Sequence, residues 1–179
     1  MEYFLEPPGQ MTVASFMGTI PGPITKSATA LNAPPLEILI VEDNPSDVEL
    51  LKTAFREWRH RANLHVVADG EEALAWMFRK GAYTAAVQPD LILLDLNLPK
   101  RSGTDVLRTL KQTPELQHIP VVVLTTSDRS EDVSRAYQLH ANCYLTKTID
   151  MYEFFSKIRA LEEFWFFAVR LPFDLRAGH

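Results

Sequence analysis

The sequence predicts an α/β domain in which a doubly wound, five-stranded parallel sheet is flanked by five helices. Strand and helix patterns alternate five times between Leu36 and Trp165. The strand patterns are continuous apolar runs, such as LILL at residues 91–94, and such runs indicate strands that are covered on both faces. Strands that alternate with helices favour a parallel sheet with helices packed on either side.

The first strand–helix unit carries clear end signals. LEILIVED is a buried strand that ends in acids. The following helix has Asn44 at its N-cap and Pro45 at its first position, where each residue type is preferred. Apolar residues at helical spacing form one stripe on this helix: Val48, Leu51, Phe55 and Trp58.

The second unit is the strand LHVVAD followed by a helix. Asp69 and Glu72 have the spacing of a capping box at the start of that helix, and Gly81 is placed to end it.

The remaining three units follow the same plan. PDLILLDL is the third strand, and the helix after it runs from Gly103 to about Gln112. IPVVVLTTSD is the fourth strand, and Asp128 with Glu131 is placed to cap the next helix. ANCYLTK is the fifth strand, and DMYEFFSKIRALEEFW is the fifth helix.

The domain is predicted to occupy residues 36–170, including the last helix and a short tail. Residues 1–35 show neither a helical nor a strand period and contain half of the 12 prolines, so we interpret them as a loose leader. A length of 179 residues suits one domain, and a hydrophobic content of 46% can form its core.

The bulk composition argues against several function classes. A net charge of −5 does not favour binding to nucleic acid or to an anionic membrane. No apolar run approaches the roughly 20 residues that a membrane-spanning helix needs. The lone Cys143 permits no disulfide framework, which is typical of a protein in the reducing cytoplasm.

Polar residues stand at the ends of four of the predicted strands. Glu42 and Asp43 end the first strand, and Asp95 ends the third. Thr125 ends the fourth strand, and Lys147 ends the fifth. Because the carboxyl ends of parallel strands meet at one edge, where ligands bind in such sheets, we expect these side chains to lie together.

The chemistry of this group points to phosphoryl transfer. Three neighbouring carboxylates repel one another, and a bound cation would compensate their charge. Oxygen-only ligands suit Mg²⁺. A carboxylate can act as a nucleophile and form an aspartyl phosphate. A metal ion, a lysine and a hydroxyl can stabilise the charge of the transferring group.

This constellation resembles the receiver domain of two-component response regulators, over about Leu36 to Trp165. The resemblance implies a flavodoxin-like fold and a signalling protein that is not an enzyme, with a sensor histidine kinase as phosphodonor. It identifies Asp95 as the phosphoacceptor. The Mg²⁺ ligands would be Glu42, Asp43, Asp95 and the backbone carbonyl of Asn97.

The same resemblance assigns the remaining site residues. Thr125 and Lys147 would contact the phosphoryl group, and Thr125 with Tyr144 would form the switch that responds to it. Two positions depart from the family pattern. Thr148 stands where a proline usually follows the lysine, and Thr126 stands where a smaller residue is usual.

A narrower resemblance rests on VVVLTTSD, LHANCYLTK and IRALEEFWFFAVRLP. These strings are similar to the small stand-alone response regulators that partner cyanobacterial and other bacterial phytochromes. The resemblance implies a phytochrome as the kinase and a role in light signalling.

Two other functions stay open at this stage. One is a phosphatase-like enzyme that forms an aspartyl phosphate, although DLN supplies no second acid two residues after Asp95. The other is a receiver-like interaction module that is never phosphorylated, although the complete set of site residues argues against it.

The fifth helix predicts a homodimer. Its apolar stripe, which should face the sheet, contains Met151, Phe154, Ile158, Leu161 and Trp165. The aromatic residues off that stripe form the predicted interface: Phe155, Phe164, Phe166 and Phe167. Exposed apolar patches rich in aromatics are typical of interfaces. The alternative is that the tail folds back over its own domain.

Overall fold

The computed structural model describes residues 34–168, except for the side chains of Phe166 and Phe167. The predicted leader therefore lies almost wholly outside the described residues. The strands are β1 (Leu36–Val41), β2 (Ala62–Val67), β3 (Leu91–Leu94), β4 (Val121–Thr125) and β5 (Cys143–Thr146). The helices are α1 (Pro45–Arg56), α2 (Gly70–Met77), α3 (Gly103–Gln112), α4 (Ser130–Gln138) and α5 (Met151–Glu162), with a 3₁₀ turn at Gly81–Tyr83 and a π-helical turn at Glu163–Ala168.

The five strands form one parallel sheet in the order β2-β1-β3-β4-β5. This confirms the predicted fold class. The register pairs Leu94 with Val41 on one side and with Val123 on the other. Glu42 and Asp95, each one residue further on, therefore leave the sheet side by side.

Helices cover both faces of the sheet. Ile38 and Ile40 of β1 belong to a core cluster with α1 and α5, while Leu39 and Val41 belong to a second cluster with α2 and α3. Alternate residues of one strand thus enter different cores, which explains why the strand patterns are apolar throughout. The apolar stripe predicted for the first helix is buried, including Trp58, which lies just after the end of α1. Between residues 34 and 168, no helix is long and apolar enough to span a bilayer.

The N-caps of the first two helices are as predicted. The Asn44 side chain accepts a hydrogen bond from the Ser46 N–H at the start of α1. Asp69 accepts from the N–H groups of Glu71 and Glu72 at the start of α2. The Glu72 carboxylate, however, accepts from Ala68 and not from the N-cap residue itself, so the reciprocal half of the capping box lies one residue earlier.

Two predicted helix boundaries are wrong. α2 ends at Met77 because Arg79 already adopts a left-handed backbone conformation, with φ of 52°, before Gly81 is reached. The start of α4 is not capped by Asp128 with Glu131. Its N-cap position is Arg129, and the nearby side-chain bond joins Ser127 to Asp132 at 2.6 Å.

The inward stripe of α5 starts one turn later than predicted. Met151 is 57% exposed, because every residue from Ile149 to Glu153 lies at the surface before the helix reaches the sheet. Phe154, Ile158, Leu161 and Trp165 are buried, as predicted.

Gly103 allows the start of α3 to approach β3 closely. A Cβ at this position would lie 1.9 Å from the backbone oxygen of Asp95. We expect Gly103→Ala to destabilise the fold by about 1–3 kcal/mol or more, because backbone must shift to relieve the overlap. Urea unfolding checks this. Gly81→Ala is the comparison, since Gly81 has φ of 59° but an added Cβ there would meet nothing within 4 Å. A loss at Gly103 no larger than that at Gly81 would contradict the expectation.

Candidate functional site

Asp95 is a buried acid at the carboxyl end of β3, with 6% of its surface exposed. Its backbone N–H donates to the Val41 carbonyl at 3.1 Å, which continues the pairing of β3 with β1. Its Oδ1 accepts from the Asn97 N–H at 2.9 Å. The apolar strand therefore places a carboxylate at the sheet edge in one fixed orientation.

Lys147 supplies the counter-charge that makes this burial possible. Its Nζ lies 2.6 Å from Asp95 Oδ2, 2.5 Å from Glu42 Oε2 and 2.8 Å from Asp47 Oδ2. A lysine ammonium has three N–H donors, so three carboxylates occupy all of them. The sequence prediction that Glu42, Asp95 and Lys147 meet is confirmed by these distances.

The pKa values at the site follow from burial and pairing. Burial opposes the charge on Lys147, but its hydrogen bonds to Asp47, Asp95 and Glu42 outweigh burial and raise its pKa. Burial raises the pKa of Glu42, although the hydrogen bond from Lys147 acts in the opposite direction. Burial is therefore the main reason for the raised pKa of Glu42, and the charge of Asp95 adds only a smaller effect in the same direction.

In this arrangement Glu42 is paired with protein groups, whereas Asp43 faces solvent. Glu42 uses one oxygen for the Asn44 N–H and the other for Lys147, and Asp43 is exposed. Within residues 34–168, no three Asp, Glu, His or Cys side chains are grouped as metal ligands. The cation between Glu42 and Asp95 is Lys147, because the ammonium satisfies both buried acids directly.

Three groups at this edge of the sheet offer oxygen ligands that fit a hard divalent cation. The carboxylates of Asp43 and Asp95 and the backbone carbonyl of Asn97 offer only oxygen, which is the ligand type that Mg²⁺ and Mn²⁺ accept. Asp43 follows Glu42 on the same edge of the sheet and faces solvent.

Thr125 lies at the buried end of β4 and is fully enclosed. Its hydroxyl oxygen accepts from the Asn97 side-chain amide at 3.2 Å, which connects it to the loop after Asp95. Tyr144 is half-buried on β5, and its hydroxyl donates to the Ser127 carbonyl at 2.9 Å. Burial raises the pKa of Tyr144. The two predicted switch residues thus contact the loop after β3, which follows Asp95, and the loop after β4.

Thr148 and Thr126, the two departures from the family pattern, do not prevent the Lys147 side chain from reaching Asp95. The peptide bond to Thr148 is trans, and the Lys147 N–H donates to the Thr125 carbonyl at 2.7 Å, so the strand pairing reaches the lysine. Thr126 is exposed and lines a cavity of about 240 Å³ beside Lys147.

Sequence reasoning missed two polar contacts. Asp47 was not identified as a partner of Lys147, since an acid in the first helical turn is ordinarily explained by the helix dipole. Lys100 pairs with Asp69, the N-cap of α2, and thereby ties the loop after β3 to the neighbouring helix. The hydrogen bond from Lys100 and those from the backbone overcome burial and lower the pKa of Asp69. A basic residue in the loop after Asp95 was the available signal.

The predicted interface residues differ in exposure. Phe164 is 51% exposed. Phe155 is half-buried and packs against the core beside Phe154, so it offers less free surface than predicted. The side chains of Phe166 and Phe167 lie outside the described residues.

Comparison with known proteins now decides the family. Residues 38–159 match the response regulator receiver domain. The chain belongs to this family. Response regulator Rcp1 of Synechocystis sp. is 44% identical to this receiver over 139 residues, which are 78% of this chain and 95% of Rcp1.

Solved structures agree with the assignment. This receiver matches the phosphorylated cyanobacterial phytochrome response regulator RcpA with a TM-score of 0.75 and 42% identity, over 78% of this chain and 99% of RcpA. It matches the Mn²⁺-bound form of Rcp1 with a TM-score of 0.74 and 43% identity, over 77% of this chain and 99% of Rcp1.

Proposed function

We propose that this receiver acts as a stand-alone response regulator that accepts a phosphoryl group on Asp95 from a sensor histidine kinase. The observation that carries the proposal is the buried Asp95 carboxylate held at 2.6 Å from the Lys147 ammonium, at the carboxyl edge of a parallel sheet. A buried acid with a charged partner and an exposed neighbouring acid is a suitable phosphoryl acceptor.

In the proposed reaction, an Asp95 carboxylate oxygen attacks the phosphorus of a phosphohistidine. The new P–O bond forms as the P–N bond breaks, and the electron pair of that bond returns to the imidazole. Lys147 supplies an ammonium beside the accepting carboxylate, and Thr125 supplies a hydroxyl at the neighbouring strand end. Bound Mg²⁺ would neutralise charge on the transferring group, with Asp43, Asp95 and the Asn97 carbonyl as ligands and Glu42 beside them.

The response is proposed to pass through Thr125 and Tyr144. The Thr125 hydroxyl, whose oxygen accepts from the Asn97 amide at 3.2 Å, would donate its O–H to a phosphoryl oxygen and turn towards Asp95. Movement of Thr125 would shift the loop that carries Ser127, whose carbonyl accepts from Tyr144. The phosphorylated state would thus be reported on the surface formed by α4, β5 and α5.

A phytochrome is the proposed kinase, and the cytoplasm is the proposed compartment. Support comes from the similarity to RcpA, which is a phytochrome response regulator, and to Rcp1. The phosphatase-like alternative is not favoured, because Asn97 and not an acid lies two residues after Asp95. The unphosphorylated module is not favoured either, because Asp95, Thr125 and Lys147 are all in place.

We expect phosphorylation to require a divalent cation. The chain is incubated with acetyl phosphate and Mg²⁺, with and without EDTA, and the intact mass is measured. Addition of one phosphoryl group with Mg²⁺ and its loss with EDTA is the expected result, since the carboxylates at the site leave a surplus of negative charge. Equal modification in both samples would remove the metal from the mechanism.

We also propose a homodimer that forms through the end of α5 and the residues after it. Phe164 is 51% exposed and packs edge-on against Trp165, so an aromatic side chain faces solvent at this end of the helix. Exposed aromatic side chains of this kind are enriched at interface cores. A two-fold contact would bury the same patch on both subunits.

Light scattering tests the dimer with the full chain at tens of micromolar, with and without phosphodonor. The expected mass is that of a dimer, and Phe164→Glu is expected to shift it towards the monomer because charge at an interface core is costly. Val87→Glu is the matched control, since Val87 is also an exposed apolar residue, with 42% of its surface accessible, and lies in the loop before β3, outside α5 and the residues after it. A monomer in every state of the wild-type chain would contradict the proposal.

A further inference from the structure

The hydrogen bonds of Lys147 leave it no free donor. Glu42, Asp47 and Asp95 each accept one. A phosphoryl group on Asp95 carries its oxygens beyond the present carboxylate oxygens. The Lys147 ammonium must therefore move outward to contact these oxygens. Its hydrogen bond to Glu42 or its hydrogen bond to Asp47 must then lengthen or break.

The two remaining partners differ in how easily they can be released. The Glu42 side chain is 3% exposed, and its second oxygen is held by the Asn44 N–H. The Asp47 side chain is 30% exposed and lies in the first turn of α1. Water can solvate Asp47 after the bond breaks, whereas Glu42 would be left as a buried charge without its cation.

There is also room for Asp47 to move. Asp47 and Lys147 both border a cavity of about 240 Å³, which is also lined by Thr126 and Ile149. Ile149 is fully exposed, so the cavity opens towards solvent at the loop that leads into α5. The Asp47 carboxylate can turn towards this space without displacing core side chains.

We propose that Asp47 is the partner that Lys147 gives up when Asp95 is phosphorylated, so that Asp47 competes with the phosphoryl group for the ammonium. Asp47 is then a positioning residue that acts through Lys147. It holds the lysine back in the unmodified state and lowers the affinity of the site for a phosphoryl group. This inference rests on the proposed function of Asp95.

Beryllofluoride with Mg²⁺, a mimic of the phosphoryl group, provides the test. Binding is measured by isothermal titration calorimetry for the full wild-type chain and for Asp47→Asn. The variant is expected to bind roughly 1.5- to fivefold more tightly, the range for loss of a partly exposed ion pair. Asp47→Glu retains a carboxylate and is expected to return to wild-type affinity. Asp47→Ser, which removes the carboxylate with a small polar side chain, is expected to behave like Asp47→Asn.

Glu49→Gln is the matched control for net charge. Glu49 lies on the same helix, is 64% exposed and pairs with Lys52 instead of Lys147. Its variant should bind as the wild type does. An equal gain in Glu49→Gln would mean that bulk charge is responsible and would overturn the role of Asp47. Unchanged or weaker binding in both Asp47→Asn and Asp47→Ser would also overturn it and leave the proposed function standing, whereas a wild-type chain that binds no beryllofluoride would overturn both.

Discussion

Asp95→Asn should abolish phosphoryl uptake, whether the donor is acetyl phosphate or a phosphorylated histidine kinase. The amide nitrogen cannot act as the nucleophile, and the amide oxygen carries no full negative charge with which to attack phosphorus. The substitution keeps the shape of a side chain that is 6% exposed, and it also removes one of three acids around Lys147. The folded state should therefore be retained while the activity is lost.

Asp90→Asn is the matched control for this experiment. Asp90 stands just before β3, as Asp95 stands just after it, so the same substitution is made at opposite ends of one strand. The Asp90 carboxylate accepts from the Glu37 N–H at 3.0 Å and is remote from Lys147 in the register of the sheet. Intact mass should show uptake in the Asp90 variant and none in the Asp95 variant. Phosphoryl transfer that persists in Asp95→Asn would assign the acceptor to another residue.

The largest loss of stability is expected for Lys147→Met. The methionine fills a similar volume but leaves Glu42 and Asp95 buried without a cation. Removing one partner of a buried ion pair costs about 3–5 kcal/mol. Lys52→Met is the control, because Lys52 is 38% exposed and pairs only with the surface acid Glu49. Its loss should stay within about 0.5 kcal/mol. Equal urea midpoints for the two variants would show that Lys147 does not support the fold.

The stability lost in Lys147→Met should also depend on pH. In the wild type, the pKa of Lys147 is raised above its ordinary value of 10.5, so its stabilisation is complete below that pH and declines only at higher pH. Burial raises the pKa of Glu42 above 4.5, so Glu42 disfavours folding as the pH rises through that folded pKa. Without Lys147 this penalty grows. The gap in unfolding free energy between variant and wild type should therefore narrow as the pH falls from about 7 towards 4.5.

Much of the fold and the centre of the site are predictable from the sequence for one physical reason. Apolar strands of a parallel sheet bring their carboxyl ends to one edge, so an acid after β3 and a lysine after β5 must approach each other. The order of apolar runs and helix signals was sufficient to place Asp95, Thr125 and Lys147 at that edge. None of this required knowledge of side-chain conformations.

The sequence is less informative where side-chain geometry decides. The partners of the two Glu42 oxygens, the Lys147 ammonium and the Asn44 N–H, depend on side-chain rotamers. Asp47 joins the site because the Lys147 side chain reaches from the end of β5 across the sheet edge to the first turn of α1. Sequence periodicity does not contain a contact between residues 100 positions apart. Met151 is exposed because α5 begins before it reaches the sheet. The helical spacing of apolar residues shows which face of a helix is buried, but it does not show at which turn the burial begins.

The charges of the site lie far apart along the chain, with Glu42 105 residues and Asp95 52 residues before Lys147. During synthesis from the N-terminus, both acids leave the ribosome long before the ammonium that neutralises them. A chain that ends before β5 lacks this ammonium, so we expect the paired strands β1 and β3 to be less stable in it than in the full domain. The arrangement of Glu42, Asp95 and Lys147 is complete only after the edge strand β5 has paired with β4.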